Sequence, residues 1–312
     1  MLIDSTESVL VSHLGWVDSG SVWICATATA KTRQVKLSEA KNLSLHEGEQ
    51  GTFSIAHHFY NNCFEITAHE TATPEKVLAR ITVVDSKSAF DGDIGIWKKL
   101  PRAYVAYYTQ PNAEAFRLFL VDAAQRTVEL QSFEWFDDSY DHGYQGIIEV
   151  IEVPHTELLL VSVQRDSHPV LYDPKQRKVV QKLTLTDRRG NPMLRFRRTA
   201  NELWADDYDT LLRLDPSDWS VHNKVRLQEA AEGTLQFIGN FSFNKDESLC
   251  VVGRPFSGDV VALDTRKFKV THKASLGGQP LDAEALSNGR VFARDWKTGD
   301  LLRGELKRKF FA

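Results

Sequence analysis

The 312 residues include 42% hydrophobic and 26% charged side chains, and the net charge is −4. These values are typical of a globular protein and argue against a surface dominated by nucleic-acid binding. No uncharged apolar run is long enough to span a membrane, and the three widely separated cysteines indicate reduced thiols. We therefore expect a cytoplasmic protein with no membrane contact.

Short β-type runs punctuated by Asp, Gly, Pro and Asn follow one another along the whole chain. They divide into seven segments: residues 22–37, 53–84, 104–133, 146–185, 195–227, 235–276 and 283–306. A helix is predicted only in short loop pieces such as residues 228–233. The chain is therefore predicted to be all-β.

One phrase recurs in these segments: an apolar run, a polar break, a second run that ends in Asp, a short turn and another run. The clearest copies are residues 162–180, 203–221 and 251–270. The Asp residues that end the second run lie at positions 85, 122, 173, 215 and 264, with a mean spacing of about 45 residues. This is the period of a four-stranded propeller blade, and it divides the chain into seven.

The phrase, and above all residues 159–180 (LLVSVQRDSHPVLYDPKQRKVV), resembles the seven-bladed β-propeller superfamily of WD40-like and YVTN-type repeat proteins. The resemblance implies four-stranded antiparallel blades around a central channel, within one domain covering residues 1–312. The last blade, residues 283–306, is short of a strand. We expect the N-terminal strand, residues 8–13, to complete it and close the ring, which removes an open sheet edge.

The repeated Asp has a structural interpretation. At Asp173-Pro174 and Asp215-Pro216 a carboxylate can accept backbone N–H bonds while Pro presets φ, as in a tight turn. We therefore assign these residues to turns and not to chemistry.

Residues 134–146 form the most distinctive loop, because acids and rings are concentrated in it. A binding loop would use its acids for a cation or a basic group and its rings for stacking. The alternative is a long solvated loop that caps neighbouring blades. The candidate binding residues are Trp135, Asp137, Asp138, Tyr140, Asp141, His142 and Tyr144.

Arginines form the second candidate site. Residues 188–198 (RRGNPMLRFRR) contain five arginines, and other arginines recur at the ends of second strands. Their guanidinium groups could line an anion-binding mouth, or they could pair with nearby acids such as Asp207. The arginines in question are Arg165, Arg188, Arg189, Arg195, Arg254 and Arg294.

No catalytic, phosphate-cradling or metal-binding motif is present. One cluster has side chains that could bind zinc, but a structural role fits it better than zinc binding: His57, His58, Cys63, His69 and Glu70. We predict no catalytic residue, metal or cofactor. The leading hypothesis is a non-enzymatic module that binds a protein or peptide. The alternatives are a metal- or anion-dependent hydrolase or lactonase at the channel mouth, with a small anionic ligand, and a lectin-like sugar binder that uses Trp135, Tyr140 and Trp296.

Overall fold

A computed structural model describes the backbone of residues 2–3, 7–13, 21–36, 42–48, 51–58, 63–70, 73–84, 87–92, 103–107, 116–122, 127–133, 147–163, 168–185, 192–227 and 237–308. Side chains are described for residues 7–12, 21–36, 150–162, 168–185, 192–227 and 237–308. All regular elements in these ranges are strands, so the prediction of an all-β chain is confirmed there. No helix in them could cross a membrane.

The described strands form seven antiparallel sheets, each made from a continuous stretch of chain with one exception at the C-terminus. The first sheet contains β1 (Leu2–Ile3), β2 (Val9–His13), β3 (Ser21–Ala26) and β4 (Lys31–Lys36). The second contains β5 (Asn42–Gly48), β6 (Gly51–His58), β7 (Cys63–Glu70), β8 (Thr73–Val84) and β9 (Lys87–Gly92). The third contains β10 (Ala103–Tyr107), β11 (Phe116–Asp122) and β12 (Thr127–Phe133).

The remaining four sheets follow the same serial order. The fourth contains β13 (Ile147–Glu152), β14 (Leu159–Val163), β15 (Val170–Asp173) and β16 (Lys178–Lys182), and the fifth β17 (Leu194–Arg197), β18 (Glu202–Asp207), β19 (Thr210–Leu214) and β20 (Val221–Arg226). The sixth contains β21 (Phe241–Phe243), β22 (Leu249–Arg254), β23 (Asp259–Asp264), β24 (Lys269–Ser275) and β28 (Lys307–Arg308). The seventh contains β25 (Pro280–Ala285), β26 (Arg290–Asp295) and β27 (Leu301–Glu305).

Burial rises and falls in the same way across the sheets whose side chains are described. The middle strands β18, β22 and β26 are almost wholly buried, whereas the outer strands β4, β16 and β20 are mostly exposed. A middle strand buried on both faces needs apolar neighbours on both sides, which explains why these strands read as continuous apolar runs. The fifth, sixth and seventh sheets must therefore each be covered on both faces.

Apolar side chains fill the spaces between consecutive sheets. Leu160 and Leu171 of the fourth sheet pack on Leu203 and Leu212 of the fifth. Between the fifth and sixth sheets lies Trp204, fully buried, with its ring 5.2 Å from that of Phe243 in an edge-to-face contact. The spaces between the sixth, seventh and first sheets are filled in the same way.

The assignment of the recurring Asp to turns is confirmed for Asp173, Asp215 and Asp264, whereas the turn after Asp122 lies outside the described residues. The Asp264 carboxylate accepts the backbone N–H groups of Arg266 and Lys267 at 3.0 and 2.9 Å, and Asp173 and Asp215 make equivalent bonds. The fourth residue after each Asp has positive φ, for example Phe268 at 51°. The short carboxylate closes the turn locally, so one residue type recurs without any shared chemistry. Asp85 lies outside the described residues.

The predicted place of the N-terminal strand is wrong. Val9–His13 pairs with Leu2–Ile3 and Ser21–Ala26 inside the first sheet and adds no strand to the seventh. The first and seventh sheets instead meet through side chains. The Glu7 carboxylate accepts the N–H of Ser287 at 3.0 Å, Trp23 Nε1 donates to the Gly299 carbonyl at 3.1 Å, and Leu10 packs on Phe292.

Trp204→Ala should lower the free energy of unfolding by about 3–5 kcal/mol, because it leaves a large cavity between the fifth and sixth sheets. Urea unfolding followed by circular dichroism measures the change. Val221→Ala, on an outer strand where the side chain is 38% exposed, is the control and should cost less than about 0.5 kcal/mol. Equal losses from the two variants would contradict this account of the core.

Candidate functional site

The turns between second and third strands and the links between consecutive sheets meet at one end of the fifth, sixth and seventh sheets. Backbone hydrogen bonds join them: Ile238 N–H donates to the Tyr208 carbonyl at 2.5 Å, and Trp296 N–H donates to the Gln279 carbonyl at 2.8 Å. Gly239 N–H donates to the Gly253 carbonyl at 2.7 Å. We call this surface the loop face. It is held by its own backbone bonds and is therefore a preformed surface.

Three aromatic rings cluster on the loop face. Phe237 lies in the link before the sixth sheet, Phe256 in the β22–β23 turn and Trp296 in the β26–β27 turn. The Phe237 ring centroid is 5.1 Å from those of both Phe256 and Trp296, at steep interplanar angles. Rings in edge-to-face contact fill the space between them. The aromatic cluster is therefore a solid apolar surface and not an open cage.

The aromatic cluster is exposed although its residues are large. Phe256 is 44% exposed and Trp296 37%, and both are among the few large apolar side chains exposed in the described part of the chain. Single exposed apolar residues are ordinary, but a contiguous aromatic group indicates a contact surface.

Asp295 fixes the turn that carries Trp296. Its carboxylate accepts the backbone N–H groups of Gln279, Lys297 and Thr298 at 2.7–2.9 Å. Burial raises the pKa of this carboxyl, but the backbone bonds lower it more, so its pKa lies below the ordinary value. Gly299, at φ 75°, completes the turn where a side chain would be strained.

Arg254 and Asp259 form the base of the turn that carries Phe256. Arg254 Nε and Nη2 donate to the two Asp259 carboxylate oxygens at 2.6 and 2.7 Å, and Nη1 donates to the Leu227 carbonyl at 2.7 Å. Lys273 Nζ lies 2.6 Å from the same carboxylate. This bidentate pair holds the two ends of the turn together and leaves Phe256 at its tip.

A second ion pair lies deeper, at the seventh sheet. Arg294 Nη2 and Nε lie 2.5 and 2.7 Å from Asp282 Oδ2, and Asn240 Nδ2 donates to the other oxygen of Asp282. Both charged side chains are less than 10% exposed. Arg254 and Arg294 therefore each bind a carboxylate of the fold, which favours the structural interpretation of these arginines over an anion-binding mouth.

Two carboxyls, Asp206 on β18 and Glu284 on β25, have raised pKa values. Burial raises the pKa of Asp206 to about 7, although the Met193 N–H and the nearby Arg195 guanidinium lower it. Burial likewise raises the pKa of Glu284 to about 7, although the Ser242 hydroxyl and Arg195 lower it. Arg195 interacts electrostatically with both carboxyls, which belong to the fifth and seventh sheets. The three groups form a polar centre, called here the buried polar centre, in which Asp206 is buried and Arg195 and Glu284 are partly exposed.

Of the residues singled out in the sequence, the structure brings Arg254, Arg294 and Trp296 to the loop face, and Asp207, 8% exposed, lies beside Asp206. Arg195 belongs to the buried polar centre. The other candidates lie outside the described residues: Trp135, Asp137, Asp138, Tyr140, Asp141, His142, Tyr144, Arg165, Arg188 and Arg189.

Sequence reasoning missed Phe237 and Phe256. Phe256 stands among the turn residues of RPFSGD, where an apolar side chain has no strand to pack on, and that mismatch was a readable signal. Phe237 joins the cluster through the link between two sheets, which no local pattern shows.

No protein-family model and no curated protein sequence matches the chain. Among solved structures, the chain is similar to the β-propeller domain of Cps50 (Swd1) from Myceliophteria thermophila, with 12% identity and a TM-score of 0.66. The match covers 98% of this chain and 95% of the other. At this identity the likeness shows the fold alone, and that fold is a β-propeller.

We expect the buried polar centre to make stability decline as pH rises. The folded-state pKa values of Asp206 and Glu284, about 7, exceed the ordinary ones, so the folded protein holds more protons than the unfolded chain between about pH 4 and pH 7. Asp206→Asn keeps an oxygen for the Met193 N–H but cannot ionise. It should reduce the stability lost between about pH 5 and pH 8 by an amount of the order of 2 kcal/mol.

Thermal or urea unfolding at a series of pH values measures this loss. Asp218→Asn is the control: the Ser220 hydroxyl and backbone lower the pKa of this exposed carboxyl, so its contribution changes only at lower pH. If wild type and Asp206→Asn lost stability equally between the two pH values, the folded-state pKa of Asp206 would not be raised above its ordinary value.

Proposed function

We propose that the chain is a closed seven-bladed propeller that acts as a non-enzymatic module for binding another protein or a peptide. Closure is supported by the seven sheets found in the described residues and by the contacts of Glu7, Trp23 and Leu10 with the seventh sheet. In this ring the first and last sheets meet through packing and hydrogen bonds, and no strand is shared between them.

The observation that carries the proposal is the exposed aromatic cluster on the loop face. Large aromatic side chains supply most of the free energy at protein–protein interfaces, because they bury a large area with few rotatable bonds. The cluster is rigid before binding: two carboxylate-closed turns hold Phe256 and Trp296, and Phe237 packs between them. A preorganised apolar surface loses little conformational entropy on binding.

The alternatives draw less support from the same surface. A sugar-binding site uses an open ring face, whereas the three rings here cover one another edge to face. In the described part of the chain, no group of three His, Cys, Asp or Glu side chains is placed to hold a metal ion. No observation therefore favours the hydrolase over the binding module. Cys25 and Cys250 are buried and unbridged, which supports a reducing compartment such as the cytoplasm.

The double variant Phe256→Ala/Trp296→Ala should reduce recovery of a stoichiometric partner from lysate of the source cells by about thirtyfold or more, as expected for loss of a central aromatic anchor. Both rings are exposed, so the fold should persist. Quantitative mass spectrometry of material recovered on immobilised protein measures the effect.

Val180→Ala/Val221→Ala is the matched control, because it removes two exposed apolar side chains from outer strands instead. It should leave recovery unchanged. Equal recovery by wild type and the aromatic double variant would exclude the aromatic cluster as the docking surface, and the absence of any stoichiometric partner of wild type would count against the module itself.

A further inference from the structure

The seventh sheet ends in an uncovered strand. In the first, fourth, fifth and sixth sheets the third strand is covered by a fourth, namely β4, β16, β20 and β24. In the seventh, β27 has β26 on one side and no partner strand among the described residues on the other. The chain then leaves the sheet, and β28 pairs with β24 of the sixth. The third sheet also has three described strands, but the residues that flank it are not described.

The backbone pattern shows which groups of β27 point outward. Asp295 N–H bonds to the Asp300 carbonyl and Leu306 N–H to the Gly289 carbonyl, at 2.8 and 2.9 Å. Antiparallel pairs alternate between bonded and non-bonded positions, so residues 302 and 304 bond to β26. The N–H and C=O groups of Leu301, Arg303 and Glu305 therefore face away from the sheet.

Two of the devices that block sheet edges, a bulge and a proline, are absent from β27. Its pairing with β26 contains no bulge, and its sequence, LLRGE, contains no proline. A cleft of about 280 Å³ runs beside it, lined by the β3–β4 turn, Arg290, Phe292 and residues 303–305. The edge is therefore both regular and accessible.

Positive charge surrounds this edge. A fourth strand here would lie between β4 and β24, the outer strands of the two sheets that pack against the seventh. Strands β4, β24, β27 and β28 together carry eight Lys and Arg side chains and a single carboxylate, Glu305. The whole chain has net charge −4, so this basic rim is a local feature. The basic residues are Lys31, Arg33, Lys36, Lys269, Lys273, Arg303, Lys307 and Arg308, of which Lys273 is paired with Asp259.

We propose that β27 is a second binding site, which accepts an extended acidic segment of a partner protein as the fourth strand of the seventh sheet. Backbone hydrogen bonds to residues 301, 303 and 305 would supply the pairing, as in other cases of strand addition. Carboxylates of the partner would face Arg303 and the basic outer strands, where opposite charges across a strand pair stabilise it.

Other occupants fit less well. A second copy of this chain paired edge to edge would bring two basic rims together, which like-charge repulsion opposes. A nucleic acid would match the charge but has no backbone groups in strand register. The aromatic cluster lies on the loop face and the proposed site lies on the rim, so the two sites can be tested separately.

The first test uses hydrogen exchange on the full chain. In the free protein the amides of Leu301, Arg303 and Glu305 should exchange fast and those of Leu302 and Gly304 slowly. The probe is a fluorescent peptide of about ten residues that alternates Val or Thr with Glu, long enough for one strand. On adding it, the three outward amides should become protected. Outward amides already protected in the free protein would show that the chain covers its own edge and would overturn the proposal.

The second test separates pairing from charge, by fluorescence anisotropy. The same peptide with methylated backbone nitrogens keeps its charge but cannot donate to the edge, and it should bind at least about tenfold more weakly. A single-stranded DNA oligomer should not displace the probe. Equal affinity for the methylated peptide, displacement by DNA or no binding of the probe would each overturn the proposal.

The third test changes the edge itself. Arg303→Ala removes the charge and should weaken binding about two- to fivefold. Arg303→Pro also removes an outward N–H without breaking a bond to β26, a position where sheet edges tolerate proline, and should weaken binding about tenfold further. Phe256→Ala should leave probe binding unchanged. If Arg303→Pro bound like Arg303→Ala, strand pairing would be excluded.

Discussion

The middle strands of the sheets are buried on both faces, and the rest of this molecule depends on that constraint. β18, β22 and β26 have almost no exposed surface, so a sheet in isolation would leave both of its apolar faces in water. The fifth, sixth and seventh sheets therefore each require a neighbour on both sides. For the seventh sheet one of these neighbours is the first sheet, which it contacts through Leu10, Cys25 and Phe292.

The same constraint shapes the loop face. Because the sheets pack so closely, charged groups at the ends of the middle strands are buried and must be matched within the fold. Arg254 with Asp259 and Arg294 with Asp282 are two such matches, and each lies beside a turn that carries an exposed aromatic ring. The ion pairs thus belong to the scaffold, and the apolar rings they support belong to the surface. In the buried polar centre two carboxyls, Asp206 and Glu284, share one guanidinium, that of Arg195. Both carboxyls have raised pKa values there.

The sequence predicts what is set locally and repeats. The Asp turns, the period of about 45 residues and the all-β class follow from short-range rules, so five of the seven predicted segments agree closely with described sheets. The first two segments miss strands: β1 and β2 of the first sheet, and β5 and β9 of the second. Long-range choices were not predictable in this way. Val9–His13 could pair either within the first sheet, with Leu2–Ile3 and Ser21–Ala26, or with the seventh sheet. The periodicity of the sequence does not distinguish these two positions. The aromatic cluster likewise joins residues 237, 256 and 296, which only the assembled fold brings together.

The error in placing the N-terminal strand has a structural consequence. An N-terminal strand in the seventh sheet would have covered β27, whereas a strand used in the first sheet leaves β27 as an edge. An uncovered edge normally invites self-association, and proteins resist it with charge. The basic residues of β4, β24 and β28 supply that charge here, since they repel another copy of the same rim. The same charge would attract the acidic strand that we propose as the partner, so one distribution of lysines and arginines would both oppose self-pairing and favour that partner.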